Sequence, residues 1–229
     1  MEMNRSIARS VIYNTLSLCY TYPNEEVYGW LSEGEWIHPL HEALDLLNEE
    51  RLKTLLFPLE QWLLQDREEK SLEMAREYTR LFINAFPHVV APPYGSVYLE
   101  KEGLVYGRST TEVLRFYHEA GFSLKEDLGD LPDHIAHELE FMGILAAKES
   151  EAAAQERIHL EETQMRFLSR FIFPWVPAFC EKVMGESRSP FYRSLSSLTK
   201  EFVFFERNYL GVPEESNSPE AMESDNRGG

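Results

Sequence analysis

The chain predicts an all-α, single-domain bundle of about ten helices, and three observations point there. Apolar residues recur at three- and four-residue spacing along most of its length. Prolines and glycines fall between those runs, where helices end. Strand-like patterning is confined to two short segments, Gly95–Leu99 and Leu104–Tyr106. No internal repeat is visible, so helix–helix packing has to supply one shared core.

The first helix is drawn by Ile7, Ala8, Val11, Ile12, Thr15, Leu16 and Cys19, which share one face before Pro23 stops it. Helical patterns follow over about 24–33, 39–49 and 51–65. Another spans about 71–86, with Met74, Tyr78, Leu81, Phe82 and Ala85 on its apolar face. The stretch from Pro87 to Ser96 holds three prolines and a glycine and cannot continue a helix. Ser109 followed by Glu112 reads as a capping box, opening a helix that Gly121 closes. Pro132 suits the first turn of the next helix, which runs through Ala152–Ala154 and breaks before Arg157–Phe171. Pro174 opens a short aromatic helix ending at Gly185, and Ser189-Pro190 opens the last, ended by Gly211. Residues 212–229 are polar, carry two prolines and end in Gly-Gly. They read as a disordered acidic tail, which sets the folded domain at 1–211.

With 43% hydrophobic and 13% aromatic residues the chain can bury a sizeable core. Thirty-nine acids against 22 bases give a net charge of −17, of which the tail's five acids and one base hold −4, leaving −13 on 1–211. Such a field disfavours nucleic acid and anionic membrane and favours a basic partner, whose encounter it would speed. Cys19 and Cys180 form no CxxC pair and read as buried thiols of a reducing compartment. The N-terminus lacks an apolar signal-peptide core and no run of 18 apolar residues occurs, so a cytoplasmic protein without stable membrane insertion is expected.

Enzyme signatures are missing: there is no GxxxxGK[ST], no GxGxxG and no GxSxG, since Tyr94-Gly95-Ser96-Val97 lacks the second glycine. Two clusters remain. In Pro132-Asp133-His134-Ile135-Ala136-His137-Glu138, helical spacing pairs Asp133 with His137 and His134 with Glu138. Three readings stay open: a pocket for a polar or cationic ligand, a metal or hydrolytic site on Asp133, His134, His137 and Glu138, or a solvated helix start whose Asp133 complements the dipole. The last reading makes Asp133→Ala cheap in stability. The second cluster is Tyr78, Leu81 and Phe82 followed by Tyr94, Ser96 and Tyr98. It is either an apolar peptide groove or core residues beside a corner.

Taken in order, Tyr-x-x-Leu-Phe at 78–82, Pro-Tyr-Gly-Ser-Val-Tyr at 93–98, and Pro-Asp-His at 132–134 with Glu-Leu-x-Phe-Met downstream resemble the TorD/DmsD/NarJ family of molybdoenzyme maturation chaperones. The resemblance runs from about Ile7 to Leu210 and implies a TorD-like helical fold. It implies a non-enzymatic chaperone, with no cofactor of its own, for the apo catalytic subunit of a molybdopterin (bis-guanine dinucleotide type) oxidoreductase. Such proteins bind the client's twin-arginine leader peptide, hold the subunit until its cofactor is inserted and prevent premature export. Carried over by position, the leader-binding residues are Tyr78, Leu81, Phe82, Tyr94, Ser96, Pro132, Asp133 and His134, with Glu138 as a nearby carboxylate. Tyr78 and Tyr94 stand where some relatives have tryptophan, so client choice does not transfer. The resemblance is compatible with a monomer or a domain-swapped dimer. It also raises guanine-nucleotide binding, which no phosphate loop here supports.

Overall fold

Local signals start and stop the helices. In the computed structural model, which describes residues 3–65, 67–86, 88–123 and 129–213, Asn4 caps α1 (Arg5–Cys19) by accepting from the Ile7 amide at 3.0 Å. Asn24 does the same for α2 (Glu25–Glu33) through Val27, and Gly34 closes that helix in the left-handed region at φ 74°. The helix α3 (Ile37–Leu47) ends on Asn48, also left-handed at φ 60°. The pattern expected over 51–65 is split into α4 (Glu50–Thr54) and α5 (Phe57–Leu63). Pro58 has no amide to carry a helix through that point.

The helix α6 (Arg67–Tyr78) passes into a π-helical turn, Thr79–Ile83, whose end is tied by the Asn84 amide to the Thr79 carbonyl at 2.8 Å. Gly95–Leu99 is helical (α7) rather than a strand, and residues 104–106 form no strand either. Among the described residues the only β pairing is an isolated Tyr94–His134 bridge. The order continues with α8 (Arg108–Glu119), α9 (Ile135–Glu151), α10 (Ala154–Phe167), a second π turn (Leu168–Ile172), α11 (Val176–Glu186) and α12 (Pro190–Tyr209). These segments make the predicted bundle, with the added pieces short.

The capping box expected at Ser109 is replaced by a longer-range device. The helix α8 starts after Gly107, and the Glu100 carboxylate accepts from both the amide and the hydroxyl of Ser109 at 2.8 and 2.5 Å. A Cβ at Gly107 would collide with that carboxylate, which explains the glycine. Glu112, the other expected partner, instead bridges Arg108 and Arg170.

The helix α1 is central, packing on α9 and α3; α10 lies on α9, while α12 contacts α11 and α5. Where α1 and α9 meet, a Cβ on Gly143 would strike the Asn14 side chain, so glycine sets how closely the two approach. One hydrophobic cluster runs from Ala8 to Val212. Val212 is buried and its amide bonds to the Arg207 carbonyl, so the packed structure reaches past the expected boundary at 211. The rest of the expected tail, 214–229, lies outside the described residues. Among the described residues no helix is long and apolar enough to cross a membrane.

Candidate binding site

The segments singled out in the sequence do meet. The π turn leaves the Leu81 carbonyl free to accept from the Ala91 amide at 2.7 Å, which folds the proline-rich loop back onto the end of α6. Beyond it, the Ile135 amide donates to the Pro93 carbonyl and the Gly95 amide to the Asp133 carbonyl, both at 2.9 Å. The loop before α7 and the segment before α9 are thereby stitched side by side.

Asp133 secures the stitch. It is fully buried, and its Oδ2 accepts from the Ser96 amide at 2.8 Å, capping α7 from outside its own segment. Asp133 is therefore not in a solvated first helical turn. The helix α9 begins at Ile135, not at Pro132, with His134 as its N-cap. The His134 Nδ1 accepts from the Ala136 amide at 3.2 Å, which requires a neutral ring, and burial pushes its pKa down to about 4 despite the opposing Asp130 charge. The other nitrogen, Nε2, faces Asp130 Oδ2 at 3.7 Å. Burial lowers the His137 pKa as well.

Tyr78 is buried, its hydroxyl donating to the Tyr20 carbonyl at 3.0 Å and its ring meeting Tyr22, Phe82 and Tyr192. Leu81, Phe82, Ser96 and Glu138 are buried too, while Tyr94 and Pro132 are half-buried. The predicted residues thus form one continuous body, and most of them lie under its surface. The surface itself includes groups the sequence reading passed over. Tyr22 is 47% exposed against Tyr78, Ile83 and Phe86 project from the π turn and its loop, and Asp130 is exposed at the mouth. Burial and then the Asp130 charge raise the Tyr94 and Tyr78 pKa values. Asp130 was visible only as a residue leading into Pro132; its position against His134 needed the fold.

Glu138 sits deeper. Trp175 Nε1 donates to its Oε2 at 3.1 Å, and burial, then the nearby Asp133, hold its carboxyl pKa well above the usual range. Glu138 Oε1, Asp133 Oδ1, Ser96 Oγ, Tyr98 OH and His137 Nε2 are buried with no hydrogen-bond partner. The acids face Ser96 and Trp175 while His134 faces Asp130, so the four polar side chains do not converge on one point. Among the described residues no group of three His, Cys, Asp or Glu could hold a metal.

The described surface sets one exposed carboxylate, Asp130, and exposed aromatic and apolar side chains on a helical bundle, an arrangement suited to binding. Comparison with known proteins makes this specific. A family model described as nitrate reductase delta subunit matches residues 45–181. The chain is 31% identical over 150 residues to the chaperone protein TorD of Vibrio vulnificus strain YJ016, covering 64% of this chain and 68% of that one. It is 28% identical over 197 residues to TorD of Vibrio parahaemolyticus, covering 83% and 84%. A crystal structure described as a redox enzyme maturation protein from Archaeoglobus fulgidus shares the fold, with a TM-score of 0.50 and 23% identity over 89% of this chain and 96% of that one. The chain belongs to the TorD/DmsD/NarJ family and is a chaperone of the TorD type, not an enzyme.

Proposed function

We propose that this chaperone acts in the cytoplasm on the apo catalytic subunit of a molybdopterin (bis-guanine dinucleotide type) oxidoreductase. It binds the client's twin-arginine leader, keeps the subunit open for cofactor insertion and delays export. The observation that carries the reading is Asp130, an exposed carboxylate whose Oδ2 lies 3.7 Å from Nε2 of neutral His134, on whose ring Tyr94 packs. A leader offers two guanidiniums followed by an apolar run. Asp130 suits the first, since an arginine fork pairs well with a fixed carboxylate. Tyr22, Ile83 and Phe86 offer apolar surface to the second. Tyr94 and Pro132 form the rim. Tyr78, Leu81, Phe82, Ser96, Asp133, His134 and Glu138 shape it from beneath. The two buried free thiols fit a reducing compartment.

The test compares Asp130→Asn with Asp133→Ala, using a synthetic twin-arginine leader peptide and thermal melting. Asp130→Asn should weaken the peptide about tenfold, or ~1.4 kcal/mol, at unchanged melting temperature. Asp133→Ala should lower the melting temperature, because it strands the buried Ser96 amide at about 1–3 kcal/mol. Unchanged leader affinity in Asp130→Asn would remove Asp130 from the site.

A further inference from the structure

Along α6 and the π turn that follows it lies a groove of about 610 Å³ lined by Leu72, Glu73, Arg76, Glu77, Arg80, Arg188 and Ser189. Its wall is built around one buried acid. Glu77 accepts from Arg80 Nε and Nη2, both at 2.8 Å, from the Arg188 amide at 2.6 Å and from the Ser187 hydroxyl at 3.1 Å. Those bonds hold its carboxyl below the usual range against the pull of burial, and they neutralise Arg80. The Arg76 and Arg188 guanidiniums are left exposed without an ion-pair partner among the described residues. The groove also meets the start of the 20-residue α12 at Ser189, whose dipole adds positive potential. Leu72 gives it an exposed apolar edge.

We infer that this groove is a second client contact, which takes a carboxylate-bearing, partly apolar segment of the catalytic subunit. Charge complementarity selects the occupant. Two free guanidinium forks beside a leucine fit acidic residues interleaved with apolar ones, and the groove volume suits a short peptide. The inference rests on the reading that the partner is a protein client. It gives the protein two contacts, with the acidic rim gripping the basic leader and this groove a different, acidic stretch.

The experiment measures fluorescence anisotropy of labelled acetyl-Glu-Leu-Glu-Glu-Leu-Glu-amide and, separately, of a twin-arginine leader peptide, on the full chain and on R76Q/R188Q. Both arginines are exposed and unpaired, so the variant should melt like the parent. Saturable binding of the acidic peptide, weakened about tenfold or more in the variant while the leader binds as before, is the expected result. A glutamine-for-glutamate peptide that binds equally well overturns the inference, as does acidic-peptide binding that survives R76Q/R188Q. Displacement by an equal concentration of inorganic phosphate makes the groove a small-anion site. Capture by phosphatidylglycerol vesicles in preference to the peptide makes it a membrane contact. Self-association lost in the variant assigns the groove to a second copy. Peptide binding that emerges only when 214–229 are removed assigns it to the chain's own acidic end. Each of these four outcomes overturns a client contact. Leader binding is read independently, so its loss would overturn the proposed function without touching the groove.

Discussion

The helix α9 carries a buried glutamate near each end, and the two live in opposite circumstances. Glu149 belongs to a closed cluster. Arg9 donates to it at 2.8 Å and, through two bonds of 2.7 and 2.6 Å, to Glu206; Gln164 and Tyr13 add second donors to oxygens of Glu149 and Glu206 that Arg9 holds, and Ser6 takes the other Glu149 oxygen. The cluster ties α1, α9, α10 and α12 together, and the Tyr209 ring covers the guanidinium at 4.4 Å. Glu138, at the other end, has a neighbouring carboxylate and no cation, and several polar atoms around it lack partners. Burying charge is tolerable when geometry and hydrogen bonds complete the set, and costly when they do not. The complete cluster is scaffold. The incomplete one lies directly under the proposed leader surface, where a protein gives up local stability for function.

The largest expected effect breaks the complete cluster. Arg9→Met leaves two buried carboxylates uncompensated and should cost about 3–5 kcal/mol in urea unfolding. A cost near zero would mean that the cluster does not hold the four helices, and the contrast between the two ends would fall.

The second effect is a pH dependence confined to the open end. His134 has a folded pKa of about 4 against 6.5 unfolded, so the unfolded chain takes up the proton first as pH falls. Stability from this group is complete above 6.5, is lost between 6.5 and about 4, and amounts to about 3 kcal/mol. Glu138 works oppositely, losing stability as pH rises above the ordinary carboxyl value, because its folded pKa is raised. His134→Asn keeps an N-cap acceptor for Ala136 without a titrating ring. Urea midpoints of this variant should therefore decline less between pH 6.5 and 4 than those of the parent, and parallel curves would exclude His134 as the source.

The smallest effect sharpens the comparison most, because one change is made at both ends of one helix. Glu149→Gln should cost about 1.5–3 kcal/mol by removing a charge-assisted partner of Arg9. Glu138→Gln puts a neutral amide where burial disfavours the carboxylate, keeps an oxygen for Trp175 and should be within about 0.5 kcal/mol of the parent at acidic pH. It should gain on the parent as pH rises, since the penalty of ionising Glu138 disappears. Equal losses in both variants would show that Glu138 is satisfied by groups the contrast ignores.

Much of the fold was legible in the chain. The stripe of Ala8, Ile12, Leu16 and Cys19 is buried as read, and Pro23, Gly121 and Gly211 fall at or just beyond helix ends. Arg9 was legible in principle, since it shares the buried face of Ile12, Tyr13 and Leu16, but a lone charge in an apolar stripe does not announce its partners. That the two segments come together was legible in the chain; which of their residues face solvent was not. Tyr78, Tyr94, Asp133 and His134 meet as their order suggested, yet Asp133 is inward and Asp130 outward.

Helical class, the apolar face of α1, most helix stops and the acidic balance were determined by the sequence itself, because spacing, cap chemistry and charge are properties of neighbouring residues. Three things were decided only in three dimensions: that Glu100 rather than Ser109 caps α8, that Asp133 clamps α7, and that Arg9 closes one end of α9 while Glu138 stays open at the other. Each depends on groups brought together from distant parts of the chain, and whether a buried charge finds its partner is settled by packing and not by its neighbours in sequence.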